Sequence, residues 1–133
     1  MSRLCLDTSA YSHFKRGLAR VVDLVDRAEW VGLPTVVIGE LWSGFLQGTQ
    51  FTRNEAELEE FLRNPYVEVL TVDDRVARLY GEIVTDLRRA GRPLPTNDIW
   101  LAATAARAGA TVLTYDAHFK DITRVGCLVL PAE

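Results

Sequence analysis

Four acidic residues stand where this chain could do chemistry: Asp7, Glu40, Asp98 and Asp116. Asp7 ends the apolar run Leu4-Cys5-Leu6, and Asp116 follows Val112-Leu113-Thr114. Asp98 falls at the start of a helical pattern, and Glu40 lies between Val36-Val37-Ile38 and Leu41-Trp42. They are distant along the chain, yet strand ends and helix openings can all face one edge of a parallel sheet. Gathered carboxylates repel, raise one another's pKa and cost stability unless a counter-charge is present. A hard divalent cation relieves that repulsion and takes oxygen ligands. The pattern therefore points to an acidic Mg²⁺ or Mn²⁺ site that works on phosphate.

Each acid also has a plainer reading. Asp7 is a good N-cap for a helix beginning at Thr8. Asp98 suits the first turn of a helix, where the dipole favours negative charge. Glu40 fits a solvated helix face, and Asp116 an ordinary turn. Their joint placement is what singles them out. Small polar residues stand beside them: Thr8 and Ser9, Thr96 and Asn97, and Thr114. Such side chains can orient carboxylates by hydrogen bonding, and they serve equally in caps and turns.

The rest of the inventory is quieter. His13 and His118 are too isolated for a zinc site and read as surface or structural residues. Cys5 and Cys127 sit in apolar runs and read as reduced core thiols, the usage of a cytosolic chain. Trp30, Trp42 and Trp100 read as core or interface residues. Arg88, Arg89, Arg92 and Lys120 can touch a phosphate backbone or form a solvated helix end. The chain has no Gly-rich loop before a Lys, no G-x-S-x-G elbow and no G-x-G-x-x-G turn.

These residues must be positioned by alternating elements. Arg3 to Leu6 reads as a strand, Thr8 to about Lys15 as a helix stopped by Gly17, and Leu18 to Ala28 as a second helix by its apolar spacing. Trp30 to Leu33 is a strand closed by Pro34. Thr35 is the expected cap of a helix to about Gln47, stopped by Gly48. Thr52 and Glu55 fit a capping box for a helix to about Arg63, which Asn64-Pro65 breaks. Tyr66 to Leu70 reads as a strand and Thr71 to Ala90 as a long helix ended by Gly91. Thr96 or Asn97 caps the next helix, through Arg107. Ala110 to Thr114 and Cys127 to Leu130 read as strands, with Asp121 to Gly126 a turn or short helix between them. The alternation implies an α/β fold with a mainly parallel sheet of about four or five strands.

The chain has 133 residues, of which 48% are apolar and 25% charged, the balance of one compact globular domain spanning 1–133. The net charge is −3 and the pI about 5.4, which excludes the basic footprint of a histone-like nucleic-acid binder. It leaves a nuclease open, because acids that hold metal lower the pI. The opening MSRLCLDTS carries too short an apolar run for a signal peptide. No stretch approaches the ~20 apolar residues of a membrane span. The expected location is the cytoplasm.

Four segments together resemble a known family: Leu4-Cys5-Leu6-Asp7-Thr8-Ser9; Val37-Ile38-Gly39-Glu40-Leu41 with Gly44; Thr96-Asn97-Asp98-Ile99-Trp100 through Ala105; and Leu113-Thr114-Tyr115-Asp116-Ala117-His118-Phe119. In order and spacing they resemble the PIN-domain ribonucleases, and among these the VapC-type toxins of toxin–antitoxin pairs. The resemblance implies a three-layer α/β/α sandwich around a mainly parallel sheet. It implies that Asp7, Glu40, Asp98 and Asp116 form an acidic pocket, with Asp7 and Asp98 the most direct ligands of Mg²⁺ or Mn²⁺. Ser9, Asn97 and Thr114 would support them. It further implies RNA as substrate, often transfer or ribosomal RNA, with inhibition of translation. The implied partners are a second copy in a homodimer and a cognate VapB-type antitoxin in a hetero-oligomer.

Other classes are distinguishable. A phosphatase using Asp7 as nucleophile wants a second Asp two residues on, where Ser9 stands. A receiver-type signalling domain needs adjacent acids at the first strand end. A non-catalytic interaction module would keep the acids as caps alone. Trp42-Phe45-Leu46 and Val76-Leu79-Tyr80-Ile83 offer apolar surface for a partner or, equally, for the core.

Overall fold

The computed structural model describes residues 2–132. Among the described residues, five strands, β1 (Arg3–Leu6), β2 (Trp30–Pro34), β3 (Val67–Leu70), β4 (Thr111–Thr114) and β5 (Cys127–Val129), form one sheet in the order β3-β2-β1-β4-β5. Every pairing is parallel. Six helices join them: α1 (Thr8–Lys15), α2 (Ala19–Asp26), α3 (Thr35–Gln47), α4 (Phe51–Leu62), α5 (Asp74–Ala90) and α6 (Thr96–Ala108). A short 3-10 helix, Ala117–Asp121, precedes β5.

The chain order explains the layering. β1, β2 and β3 step outward in one direction, and the chain then returns to set β4 on the other side of β1. Parallel crossovers are right-handed, so reversing the direction moves the connecting helices to the opposite face. Helices α1 to α4 cover one face, and α5 with α6 covers the other. A sheet covered on both sides needs apolar residues throughout. Accordingly Leu4, Cys5 and Leu6 of β1 and Val112 and Leu113 of β4 are all buried.

Helix starts differ in detail from the sequence expectation. Pro34 and Pro95 occupy the cap positions in extended backbone, so Thr35 and Thr96 become the first helical residues and make no side-chain cap. The Thr52–Glu55 capping box is not formed: α4 begins at Phe51 after Gln50, and the Phe51 ring packs 5.7 Å from that of Trp42. Helix α5 begins three residues later than expected, because the Asp73 carboxylate accepts the Val76 amide at 2.8 Å and fixes the start there. The short helix before β5 lies at Ala117–Asp121, ahead of its expected place, where Asp116 accepts the His118 amide. Cys5 and Cys127 are free thiols; Cys5 is fully buried and Cys127 half-buried. No helix among the described residues is long and apolar enough to cross a membrane.

Candidate active site

The sheet order reverses between β1 and β4, and such switch points leave a crevice at the carboxyl ends of the strands. Asp7 follows β1 there, and its amide donates to Leu113 O at 3.3 Å. Asp116 lies two residues beyond β4. Helix α6 brings Asp98 to the same place in its first turn, and α3 brings Glu40 in its second. All four acids line one cleft of about 440 Å³, with Thr8, Ser9, Leu101, Tyr115, Ala117 and Phe119.

Asp7 is the most constrained. It is only 7% exposed, and it caps α1 by accepting the Ala10 amide at 2.8 Å. Ser9 Oγ donates to the same oxygen at 2.9 Å. Thr114 Oγ1, fully buried, donates to the other oxygen at 2.5 Å and accepts the Asp116 amide at 2.9 Å. Capping and site membership thus coincide in one residue. Burial pushes the Asp7 carboxyl above its usual range; the three donors oppose that rise and the Asp116 charge adds to it.

Glu40 is held from two elements. Thr8 Oγ1 donates to one carboxylate oxygen at 2.6 Å, and Asn97 Nδ2 to the other at 3.4 Å. Asp98 has its proton affinity raised by burial, opposed by His118 and reinforced by Glu40 and Asp116. Ser9, Asn97 and Thr114 therefore each hydrogen-bond an acid of the quartet.

His118 belongs here as well, contrary to the expectation of a surface or structural histidine. Its Nε2 lies 2.9 Å from Asp98 Oδ2 and its Nδ1 lies 2.8 Å from Asp116 Oδ1. The Asp-Ala-His spacing of residues 116–118, on a turn after a strand, was the available signal. His13 lies nearby, bonded through Nδ1 to Ser9 O at 2.7 Å and stacked on Tyr115 at 4.0 Å. The arginines stand elsewhere: Arg92 pairs with Asp121 at 3.1 Å, and Arg88 and Arg89 are exposed on α5.

The donor set is oxygen-rich and anionic, the chemistry of a hard cation. Among the described residues no three carboxylate, imidazole or thiol groups are gathered into a ready-made cage. That is compatible with Mg²⁺, which keeps several waters and takes only one or two carboxylates directly. Asp7 and Glu40 are held by donors of their own, while Asp98 and Asp116 share His118.

Comparisons with known proteins bear on the family and the fold. The PIN domain family model matches residues 4–125. Ribonuclease VapC4 of Mycobacterium tuberculosis is 35% identical over 102 residues, covering 77% of this chain and 78% of that protein. Ribonuclease VapC5 of the same organism is 31% identical over 117 residues, covering 88% and 85%. Among solved structures, the VapBC-5 toxin–antitoxin complex of M. tuberculosis superposes with a TM-score of 0.76 at 27% identity, covering 98% of this chain and 100% of the matched one. VapBC2 of Rickettsia felis, bound to a promoter DNA fragment, reaches a TM-score of 0.85 at 20% identity, covering 96% and 98%; that likeness concerns the fold.

Proposed function

The chain belongs to the PIN-domain family, and from that premise we propose that it is a metal-dependent endoribonuclease, the toxin of a toxin–antitoxin pair. The observation that carries the reading is the convergence of Asp7, Glu40, Asp98 and Asp116 on one cleft at the switch point of the sheet. The names of the relatives support it: VapC4 and VapC5 are ribonucleases. The substrate is RNA, with transfer or ribosomal RNA the expected targets.

Asp7 and Asp98 would hold Mg²⁺ or Mn²⁺, with Glu40 and Asp116 completing the anionic lining. When bound, the cation supplies Lewis acidity, easing proton loss from water and offsetting charge on the phosphate. The chain's own groups do the rest. Thr114, Ser9 and the Ala10 amide keep Asp7 in one orientation. Thr8 and Asn97 do the same for Glu40. Asp98 or Glu40 takes the proton of the attacking water. Water attacks in line, the 3′ oxygen leaves, and the products carry 5′-phosphate and 3′-hydroxyl ends. The RNA 2′-hydroxyl takes no part.

A cognate antitoxin and a second copy of the chain are the proposed protein partners. Leu46, 69% exposed at the end of α3 beside half-buried Trp42 and Phe45, supports a protein-binding surface there. The other apolar stretch is less available, since Val76 and Ile83 are buried in the core. The enzymatic reading is tested with purified chain and a transfer and ribosomal RNA pool in Mg²⁺ or in chelator. Cleavage is expected only with the cation and is lost in Asp98→Asn. Equal cleavage in chelator, or none in either condition, contradicts it.

A further inference from the structure

The four acids are not held alike. Asp7 receives three protein donors and Glu40 two, from hydroxyls, an amide side chain and backbone. Asp98, 27% exposed in its side chain, has one hydrogen bond among the described residues, and His118 Nε2 makes it. Asp116 receives the His118 amide at 3.0 Å and lies 2.8 Å from its Nδ1. One histidine thus serves both acids of the second pair, which come from different elements 18 residues apart (116 minus 98). Its ring is in turn seated beside Phe119, with centroids 5.1 Å apart, and Phe119 is buried.

We propose that His118 is a positioning residue of the cation site, holding Asp98 through its ring Nε2 while its backbone amide holds Asp116. The inference rests on the metal-dependent reading of the same cleft. Carboxylates with a partner on one oxygen are fixed in rotamer and offer the other oxygen to a cation. Here the engaged oxygens are Asp98 Oδ2 and Asp116 Oδ1, which leaves Asp98 Oδ1 and Asp116 Oδ2 without protein donors among the described residues. His118 is not itself the ligand. Both nitrogens already face carboxylates, and a hard cation prefers the oxygens. Without the His118 ring Asp98 loses its one donor while still facing Glu40 and Asp116, the charges that raise its proton affinity.

The test reads cation binding in the absence of RNA, by titrating Mn²⁺ into the full chain and following its paramagnetic resonance. His118→Ala should weaken Mn²⁺ binding about 10- to 100-fold, the usual effect of removing a group that orients a ligand. His118→Gln, which keeps an N–H at similar reach, should recover most of the loss. The thermal midpoints of both variants in chelator should stay close to wild type, which separates positioning from misfolding. Unchanged or tighter Mn²⁺ binding in His118→Ala overturns the positioning role while leaving the nuclease reading intact, and so does a failure of His118→Gln to recover. A wild-type chain that binds no Mn²⁺ overturns both.

Discussion

Asp7 does two jobs with one carboxylate. It caps α1, and it faces the other acids from a buried position that raises its proton affinity. An acid whose pKa is higher folded than unfolded holds a proton that the unfolded chain has released. Stability in chelator therefore falls as pH rises from the ordinary carboxylate value of 3.8 through the raised one. Above that window the cost of burying the charge is fully present. Asp7→Asn keeps an oxygen for the Ala10 amide and removes the charge. In chelator at pH 8 it should melt above wild type by about 3 °C, the scale that ~1 kcal/mol gives a chain of this size. The gap should close as pH falls through the window, and scanning calorimetry across pH reads it directly; a variant melting below wild type at pH 8 would contradict the account. The same variant should lose RNA cleavage by at least about 100-fold. Thr114 is the other pivotal residue, because its hydroxyl both donates to Asp7 and accepts the Asp116 amide. Thr114→Val keeps the shape and orphans those two partners, so it should cost about 2 kcal/mol in denaturant unfolding and slow cleavage about 10-fold or more.

At the scale of elements, what matters is where each strand and helix ends. Helix α6 sets Asp98 at its first turn and must stop in time for Thr111 to enter β4. Gly109 makes that stop, with φ +67°, a conformation that a side chain disfavours. Gly109→Ala should cost about 1 kcal/mol in thermal unfolding and leave cleavage unchanged, since nothing stands within 4 Å of the added Cβ. A loss of cleavage in a folded Gly109→Ala chain would mean that α6 does more than deliver Asp98. The alternation of elements was legible because buried parallel strands read as short apolar runs and glycines punctuate helix ends. Helix starts were less legible. At Thr35 and Thr96 the preceding proline took the cap position, and at Thr52 packing of Phe51 on Trp42 overrode the local capping pattern. The acids were legible because a carboxylate at a strand end breaks an apolar run. His118 was less legible: the Asp-Ala-His spacing hinted at Asp116, but Asp98 lies 20 residues away and a lone histidine has no period to betray it.

For the whole molecule, topology decides what the acids can do. The order β3-β2-β1-β4-β5 places the reversal beside β1, so residues from opposite halves of the chain meet at one cleft. The fold concentrates negative charge there in a chain whose net charge is only −3. On the proposed reading, RNA approaching such a cleft would need a divalent cation to neutralise both sides. Attack by water dictates the chemistry of the cut itself. The most direct measurement is terminal-group mapping of RNA fragments made by the wild-type chain in Mg²⁺. Fragments carrying 5′-phosphate and 3′-hydroxyl ends are predicted, as follows from attack by water. Ends carrying 2′,3′-cyclic phosphate, formed again when the cation is chelated, would contradict it.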